Sequence, residues 1–295
     1  MNVQLIRAPD HLGDGILALP AILALTAMMP SWIDGPQWCS WLYRDADLVP
    51  KRPIHFDRAI LFKPSFSAAW RNRKIRNKIG LKTDYRSWLL TTGVPPGSGH
   101  RFDDYVQIAH AAGASVASFP RIHVTEAERA LCPPIPQSSV LFLPTTASGP
   151  PVAWPGFRQL ADSLRSKGKY PIFTGGPGEE DWVTQVAADH RVLPPMALSE
   201  FAALCTQVDA IYGNDSGLSH LATAARRGAG MDPDDVHIYC GSTDPEKTAA
   251  PGARRFRHSE PPKCWPCYRK RCHHDLSCMP TQSNALQVQG PSMMG

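Results

Sequence analysis

Val208-Asp209-Ala210-Ile211-Tyr212-Gly213-Asn214-Asp215-Ser216-Gly217-Leu218-Ser219-His220-Leu221-Ala222-Thr223-Ala224-Ala225 is the stretch from which the fold can be read. Its apolar opening, residues 208–212, predicts a strand, residues 214–217 a turn, and residues 218–225 a helix. The same alternation surrounds it. Residues 140–143 form a fully apolar strand, and Phe157, Leu160, Ala161 and Leu164 recur at helical spacing. Residues 170–174 read as another strand, closed by Gly175-Gly176-Pro177-Gly178 ahead of a helix to about Ala188. Phe201, Leu204 and Cys205 mark a further helix, and residues 236–239 the last strand. Strands separated by helices predict an α/β fold whose parallel sheet is covered on both faces.

The first half carries the same signals more faintly. Val3, Leu5 and Ile6 make a short strand, residues 11–14 a Gly-containing turn, and residues 16–28 a helix. Residues 38–43 and 59–62 read as strands and residues 101–112 as a helix. Proline clusters at 119–120 and 132–136 place a linker near 120–137, dividing the chain into domains 1–128 and 138–295. A length of 295 residues agrees with two domains. The 43% hydrophobic content excludes disorder, and 29 Pro and 22 Gly without a period exclude a collagen-like chain. The longest apolar run, residues 16–29, is interrupted by Pro20 and Thr26 and falls short of the roughly 20 residues of a membrane span. Asp10 and Asp14 precede it where a secretion signal is basic, so a cytoplasmic location is expected. Residues 226–235 read as a surface excursion and the tail after Gly290 as disordered.

In a parallel α/β sheet, ligands bind where strands end and helices begin. Asp14, beside Gly13 at such a junction, is either a helix cap or a base. Gly175 to Gly178 suits a phosphate-cradling turn or an ordinary tight one. At Asn214-Asp215-Ser216-Gly217, the free amides of Ser216 and Gly217 favour phosphate, and His220 follows one helical turn on. Asp215 would repel phosphate, which leaves a hydroxyl or ammonium group as its partner, or a capping role.

Charge and cysteine usage add two further features. The net charge of +5 is concentrated in residues 71–86, where Arg71, Arg73, Lys74, Arg76, Lys78, Lys82 and Arg86 face only Asp84. That run is either a solvated face or a contact for acceptor anions or for an anionic membrane leaflet. Nucleic acid fits it poorly, because only Trp70, Tyr85 and Trp88 are near enough for stacking. Cys39, Cys132, Cys205 and Cys240 stand among apolar residues as small core side chains. Cys264, Cys267, Cys272 and Cys278, with His273 and His274, are open to structural zinc, free thiols or a disulfide.

Leu12-Gly13-Asp14 with Ala18-Leu19-Pro20-Ala21, then Trp154-Pro155, Gly175 to Glu179, Gly213 to Leu221 and Gly241-Ser242-Thr243-Asp244-Pro245, occur in an order that resembles the bacterial lipopolysaccharide heptosyltransferases, glycosyltransferase family 9. Cys264-x-x-Cys267, Cys272 and Cys278-Met279 resemble the tail of the heptosyltransferase II branch. The resemblance runs from about residue 3 to 288. It implies two Rossmann-like lobes facing across a cleft, the GT-B architecture. The C-terminal lobe would hold a nucleoside-diphosphate sugar, with ADP-heptose favoured, and the N-terminal lobe a lipid A–core or other anionic, lipid-linked glycan. The transfer would invert the anomeric centre and need neither metal nor other cofactor.

Carried over by motif, Asp14 would be the general base. Gly13, Thr145, Thr146, Glu179, Met196, Asp215, Ser216, Gly217 and His220 would bind the donor, with Thr145 and Thr146 on the diphosphate and Glu179 and Met196 at the nucleoside. Arg71, Arg73, Lys74 and Arg76 would meet the acceptor, at the cytoplasmic face of the inner membrane. The chain departs from the family at Val152, where a Lys that contacts the diphosphate is common; Arg158 is the candidate replacement. That departure motivates an alternative, a nucleotide-sugar-binding protein with weakened or lost transfer. A third reading, a zinc-stabilised nucleic-acid binder, would need the cysteine cluster and the basic run together.

Overall fold

The computed structural model describes residues 2–146 and 149–281, and the chain divides into two compact units, 1–122 and 123–295. The tail after Gly290 lies outside the described residues. Each unit is built on one parallel sheet. The first contains β1 (Gln4–Arg7), α1 (Leu12–Met28), β2 (Ser31–Asp34), α2 (Cys39–Leu42), β3 (Arg58–Leu61), α3 (Phe66–Arg71), β4 (Asn77–Leu81), β5 (Thr92–Val94) and α4 (Arg101–Ala111). Its strand order is β2-β1-β3-β4-β5, every pair parallel. Chain continuity requires β1 to leave toward one edge and β3 toward the other, so the order reverses between β1 and β3. A crevice opens there beyond the strand ends.

The second unit contains α5 (Glu126–Ala130), β6 (Ser139–Leu143), α6 (Phe157–Ser166), β7 (Tyr170–Phe173), α7 (Glu180–Ala187), β8 (Arg191–Val192), α8 (Leu198–Cys205), β9 (Ala210–Asn214), α9 (Gly217–Gly228), β10 (Val236–Tyr239), α10 (Pro245–Thr248) and β11 (Arg254–Phe256). The order β11-β10-β9-β6-β7-β8 reverses between β6 and β9. This is the doubly wound arrangement that binds nucleotides. The proline-rich stretch expected as linker instead begins with α5, whose Thr125 hydroxyl and Glu128 carboxylate form a reciprocal capping box.

Packing explains why β6, β9 and β10 are largely apolar and aromatic. Residues paired across strands stack as a ladder, Phe173 on Phe142 (4.7 Å), Phe142 on Tyr212 (5.2 Å) and Tyr212 on His237 (4.7 Å), and His237 reaches diagonally to Phe256 (5.7 Å). Trp154 lies flat on Tyr239 at 4.0 Å. Gly213 is required at its position in β9. A Cβ there would come within 2.7 Å of the Ser219 hydroxyl and 3.0 Å of Leu143 Cβ, so a side chain would push α9 and β6 away from β9.

Several local expectations are corrected. Residues 38–43 hold α2 rather than a strand, because Pro36 accepts the amide of Cys39 and turns the chain into a helical loop. β2, β4, β5, β8 and β11 were not read from the sequence, so residues 236–239 are not the last strand; all five are short, and β4 opens with polar Asn77 and Lys78. Residues 226–235 are no simple surface excursion: α9 runs to Gly228, and Arg226 is fully buried. Its guanidinium donates to the carbonyl of Val208 (2.9 Å) and to Asp235 (2.7 Å). Of the isolated cysteines, Cys39, Cys205 and Cys240 are buried, while Cys132 is half-exposed.

His237 carries a consequence for stability. Burial, aided by the nearby Arg254 and Arg226 charges and opposed by Asp234, pushes its imidazole down to about 4 from the ordinary 6.5. The unfolded chain therefore takes up this proton first, and stability falls as pH drops from 6.5 toward 4. The loss attributable to this residue is about 3 kcal/mol. We expect His237→Phe, which keeps the ring in the ladder, to lose that much less than the parent over this interval in denaturant titrations. Equal pH dependence in the two proteins would contradict it.

Candidate functional site

The crevice of the first unit is real and occupied by charge. A cavity of about 370 Å³, sugar-sized, is lined by the loop after β1 (Pro9, Asp10, His11, Asp14), the loop after β3 (Lys63, Pro64, Ser65), and Asp84, Arg101 and Tyr105. Asp14 lies inside the first turn of α1, one turn earlier than the predicted helix start. It is not spent on capping. Its Oδ1 accepts the Tyr105 hydroxyl at 2.9 Å, which fixes the carboxylate against α4. Tyr105 is buried, and burial raises its phenol well above the usual range, so it remains a proton donor in that bond.

Neighbouring charges are held in a network. Asp10 accepts from Arg7 and Lys63, each at 2.5 Å. Burial acts to raise the Asp10 carboxyl, but these two cations hold it below its ordinary value. Arg86, expected among the solvent-facing basic residues, is fully buried instead. It donates to the carbonyls of Lys63 (2.6 Å) and Leu81 (2.9 Å), pinning the loops that shape the cavity, and burial brings its guanidinium down to about 10. Lys78 is also buried, whereas Arg71, Arg73, Lys74 and Arg76 are exposed and do not line this cavity.

In the second unit, a smaller cavity of about 100 Å³ lies beyond β6, β9 and β10 and is lined by Thr146, Val152, Asn214, Asp215, Tyr239, Gly241, Ser242, Thr243 and Met279. It can take a phosphate or the edge of a sugar. Asn214 secures the floor by accepting the Trp154 amide at 2.9 Å. Asp215 is only 9% exposed at its side chain. Its Oδ2 accepts both the Thr243 and Thr248 hydroxyls at 2.7 Å, and its Oδ1 lies 3.7 Å from His220 Nε2. Burial alone would raise its carboxyl; His220, Thr248 and Thr243 bring it below its ordinary value. Asp215 is therefore an ion held in place by hydroxyls, with no side-chain capping bond to α9.

Among the described residues, Ser216 Oγ, His220 Nδ1 and Tyr239 OH are buried at this end of the sheet without a hydrogen-bond partner. An unsatisfied buried hydroxyl costs about 1–3 kcal/mol, so such a grouping marks a place where a ligand supplies the missing bonds. Ser216 stands at the N-cap of α9 without using its side chain there, and the start of α9 presents free amides.

The structure thus brings Thr146 and Asp215 into one cavity, with Ser216, Gly217 and His220 on the adjoining helix. Buried Thr145 precedes them at the end of β6. It does not bring Glu179 or Met196 into the same lining; Glu179 accepts the Gly176 amide at 2.7 Å and closes the glycine turn. Arg158 donates to the Gln185 carbonyl and does not line the cavity, where buried Val152 leaves an apolar wall. Gly13 lies beside Asp14 in the first turn of α1, in the first unit. Tyr105, Asn214, Tyr239, Thr243 and Thr248 are the residues that sequence reasoning missed. Thr243 was visible in the quoted motif. Tyr105 had no signal, because its partner is 91 positions away.

The cysteine-rich segment does not fit the structural zinc that its spacing left open. Cys264, Cys267, Cys272, His273, His274 and Cys278 surround one cavity, and Cys272 Sγ accepts the amides of His274 and Leu276 at 3.3 Å. A tetrahedral site with Zn–S bonds of about 2.3 Å needs its sulfurs under about 4 Å apart. Among the described residues, the one trio of ligand atoms within 4.8 Å is Asp162, Asp189 and His190, and there Arg165 already pairs with both carboxylates.

Two parallel sheets, each with polar residues at its switch point, define the α/β class to which the GT-B-like heptosyltransferases belong. The model of glycosyltransferase family 9 (heptosyltransferase) matches residues 52–277. The chain belongs to that family and is a glycosyltransferase. Among solved structures it is similar to the Escherichia coli ADP-heptose LPS heptosyltransferase II, with a TM-score of 0.72 and 21% identity over 94% of each chain. A family 9 glycosyl transferase from Veillonella parvula follows at 0.67 and 19%, covering 87% of this chain and 85% of that one. E. coli heptosyltransferase WaaC, with ADP-2-deoxy-2-fluoro heptose, matches at 0.65 and 18%, over 86% and 93%. A search of the curated proteins finds no match. No helix among the described residues is long and apolar enough to cross a membrane.

The two threonines on Asp215 allow a direct check. Hydrogen bonds to a charged group are worth about 1.5–3 kcal/mol each. We expect Thr243→Val with Thr248→Val to lower stability at neutral pH and to move acid unfolding to higher pH. The reason is that a depressed carboxyl stabilises the fold above its unfolded value and loses that effect as pH falls through the folded one. An acid transition unmoved from the parent's would contradict this role.

Proposed function

We propose that the protein transfers heptose from ADP-heptose to a lipopolysaccharide core or similar anionic, lipid-linked glycan, with inversion and without a metal. The observation that carries this reading is the pair of switch-point sites: a hydrogen-bonded carboxylate on a sugar-sized cavity in one unit, and unpartnered polar atoms at a helix start in the other. The similar structures named as an ADP-heptose LPS heptosyltransferase II and as a heptosyltransferase with ADP-2-deoxy-2-fluoro heptose support the choice of donor.

Asp14 is the general base. A sugar hydroxyl is a poor nucleophile until its proton is removed, and a positioned carboxylate contributes about 10²–10⁴ in rate. With Oδ1 held by Tyr105, Oδ2 is left to accept the acceptor's proton. Lys63 and Arg101 on the same cavity give an anionic acceptor its counter-charges. The acceptor-binding unit is then 1–122 and the donor-binding unit 123–295.

On the donor side, the amides at the start of α9, the Ser216 hydroxyl and Thr145 and Thr146 meet the diphosphate, whose charge grows as the glycosidic bond breaks. Asp215, already ionised and oriented by Thr243 and Thr248, accepts sugar hydroxyls. His220 neutralises the leaving phosphate, a role that matters more because Val152 stands where a lysine is common. Glu179 and Met196, outside the Asp215 cavity but in the same unit, are assigned to the nucleoside. Such a donor places the reaction in the cytoplasm, with the acceptor at the inner membrane.

Asp14→Asn tests the assignment. We expect donor affinity by calorimetry to stay within about twofold of the parent while turnover falls at least about a hundredfold. Parent-like turnover in this variant would refute the base. Donor binding in the parent without nucleotide release, even with acceptor present, would favour the binding-protein alternative.

A further inference from the structure

The cysteine-rich segment has no part in the function assigned above, yet it ends on the donor side of the second unit. The cavity that its cysteines surround is small, about 20 Å³, with room for a single water and for no ligand. Val152, Ser242 and Met279 line that cavity and the larger one beside Asp215 alike. The segment is therefore a wall of the Asp215 cavity rather than a binding site in its own right.

Backbone and side-chain bonds fix this wall in place. The Ser242 carbonyl, in the loop after β10, accepts the amides of Cys267 (3.1 Å) and Tyr268 (3.0 Å). Trp154 Nε1 donates to the Pro280 carbonyl at 3.0 Å, and the Met279 amide closes a turn on the Leu276 carbonyl at 2.8 Å. Gly241 makes room for the thioether, since a Cβ at that position would come within 2.6 Å of the Met279 sulfur. Met279 is buried in the same apolar cluster as Trp154 and Tyr239.

This wall differs chemically from the rest of the cavity. Thr146, Asn214, Asp215 and Thr243 bring polar side chains, whereas Met279 and Val152 bring hydrocarbon and a thioether. A thioether is a weak acceptor and donates nothing, so it has little to offer a diphosphate. A sugar is different, because C–H groups lie between its hydroxyls and suit an apolar surface. A sugar hydroxyl turned toward Met279 would be buried without a partner. Binding therefore sets C–H groups against Met279 while hydroxyls meet Asp215.

We propose that Met279 is a specificity-determining residue for the donor sugar and that the cysteine-rich segment serves to hold it there. The inference rests on the reading of the Asp215 cavity as the donor-sugar site, and it extends that site to a side chain 64 positions further along the chain.

Calorimetry of the full chain with ADP-heptose and with ADP tests it, because the two ligands differ only in the sugar. Met279→Ala is expected to bind ADP-heptose about tenfold more weakly while binding ADP within about twofold of the parent. Met279→Leu, apolar and of similar volume, is expected to keep both affinities within about threefold. Met279→Gln, similar in length but polar, is expected to show the same selective loss as Met279→Ala, and it leaves no cavity that would compromise folding. An unchanged ratio of ADP-heptose to ADP affinity in Met279→Ala and Met279→Gln, or an equal loss of both ligands, would overturn the proposal while leaving the donor reading intact. A parent chain that does not bind ADP-heptose would overturn the donor reading itself, and the proposal with it.

Discussion

Parallel pairing of β9 with β10 is the constraint on which the rest of the site depends. Because Tyr239 lies opposite Asn214 in register, both strands release their chains at the same edge and the same height. The loop after β10 therefore arrives beside Asp215 and supplies Thr243 and, from α10, Thr248. An antiparallel neighbour would have carried those threonines to the opposite edge. Burial works to raise this nearly enclosed carboxyl, and the threonines act with His220 to hold it below its ordinary value, ready to accept sugar hydroxyls. The charge of Asp215 is thus held jointly by His220, one turn into α9, and by the two threonines that sheet topology delivers.

The same logic operates in the first unit with different residues. Its strand order reverses between β1 and β3, and the two loops at that point deliver Asp14 and Lys63 to one cavity. Arg86 keeps the second of these loops in place from inside, donating to the backbone carbonyls of residues 63 and 65. Gly80 makes room for it, since a Cβ at that position would meet the guanidinium at 2.9 Å. A buried cation serves here as a clamp on backbone, not as a contact for any partner.

Much of this was legible in the sequence, and the exceptions have physical causes. The alternation around residues 208–225 and 236–239 announced a parallel sheet because strands buried on both faces must be apolar throughout. Asp14 and Asp215 stood out because each opens a helix after a strand. The short strands β4 and β5 escaped notice because Asn77, Lys78 and Thr92 dilute their apolar pattern. The basic run was overcounted, since sequence shows a charge but not that Lys78 and Arg86 spend theirs on buried carbonyls. Tyr105, Thr243 and Thr248 act through contacts between distant parts of the chain, which spacing along the chain cannot reveal.

A crystal structure of the protein with ADP-heptose bound bears most directly on the central claim. The diphosphate should lie against the amino end of α9, within hydrogen-bond reach of the Ser216 hydroxyl and Thr146, with heptose hydroxyls on Asp215. A nucleotide sugar seated elsewhere on this unit, leaving Ser216 and Asp215 with only the partners they have now, would contradict it.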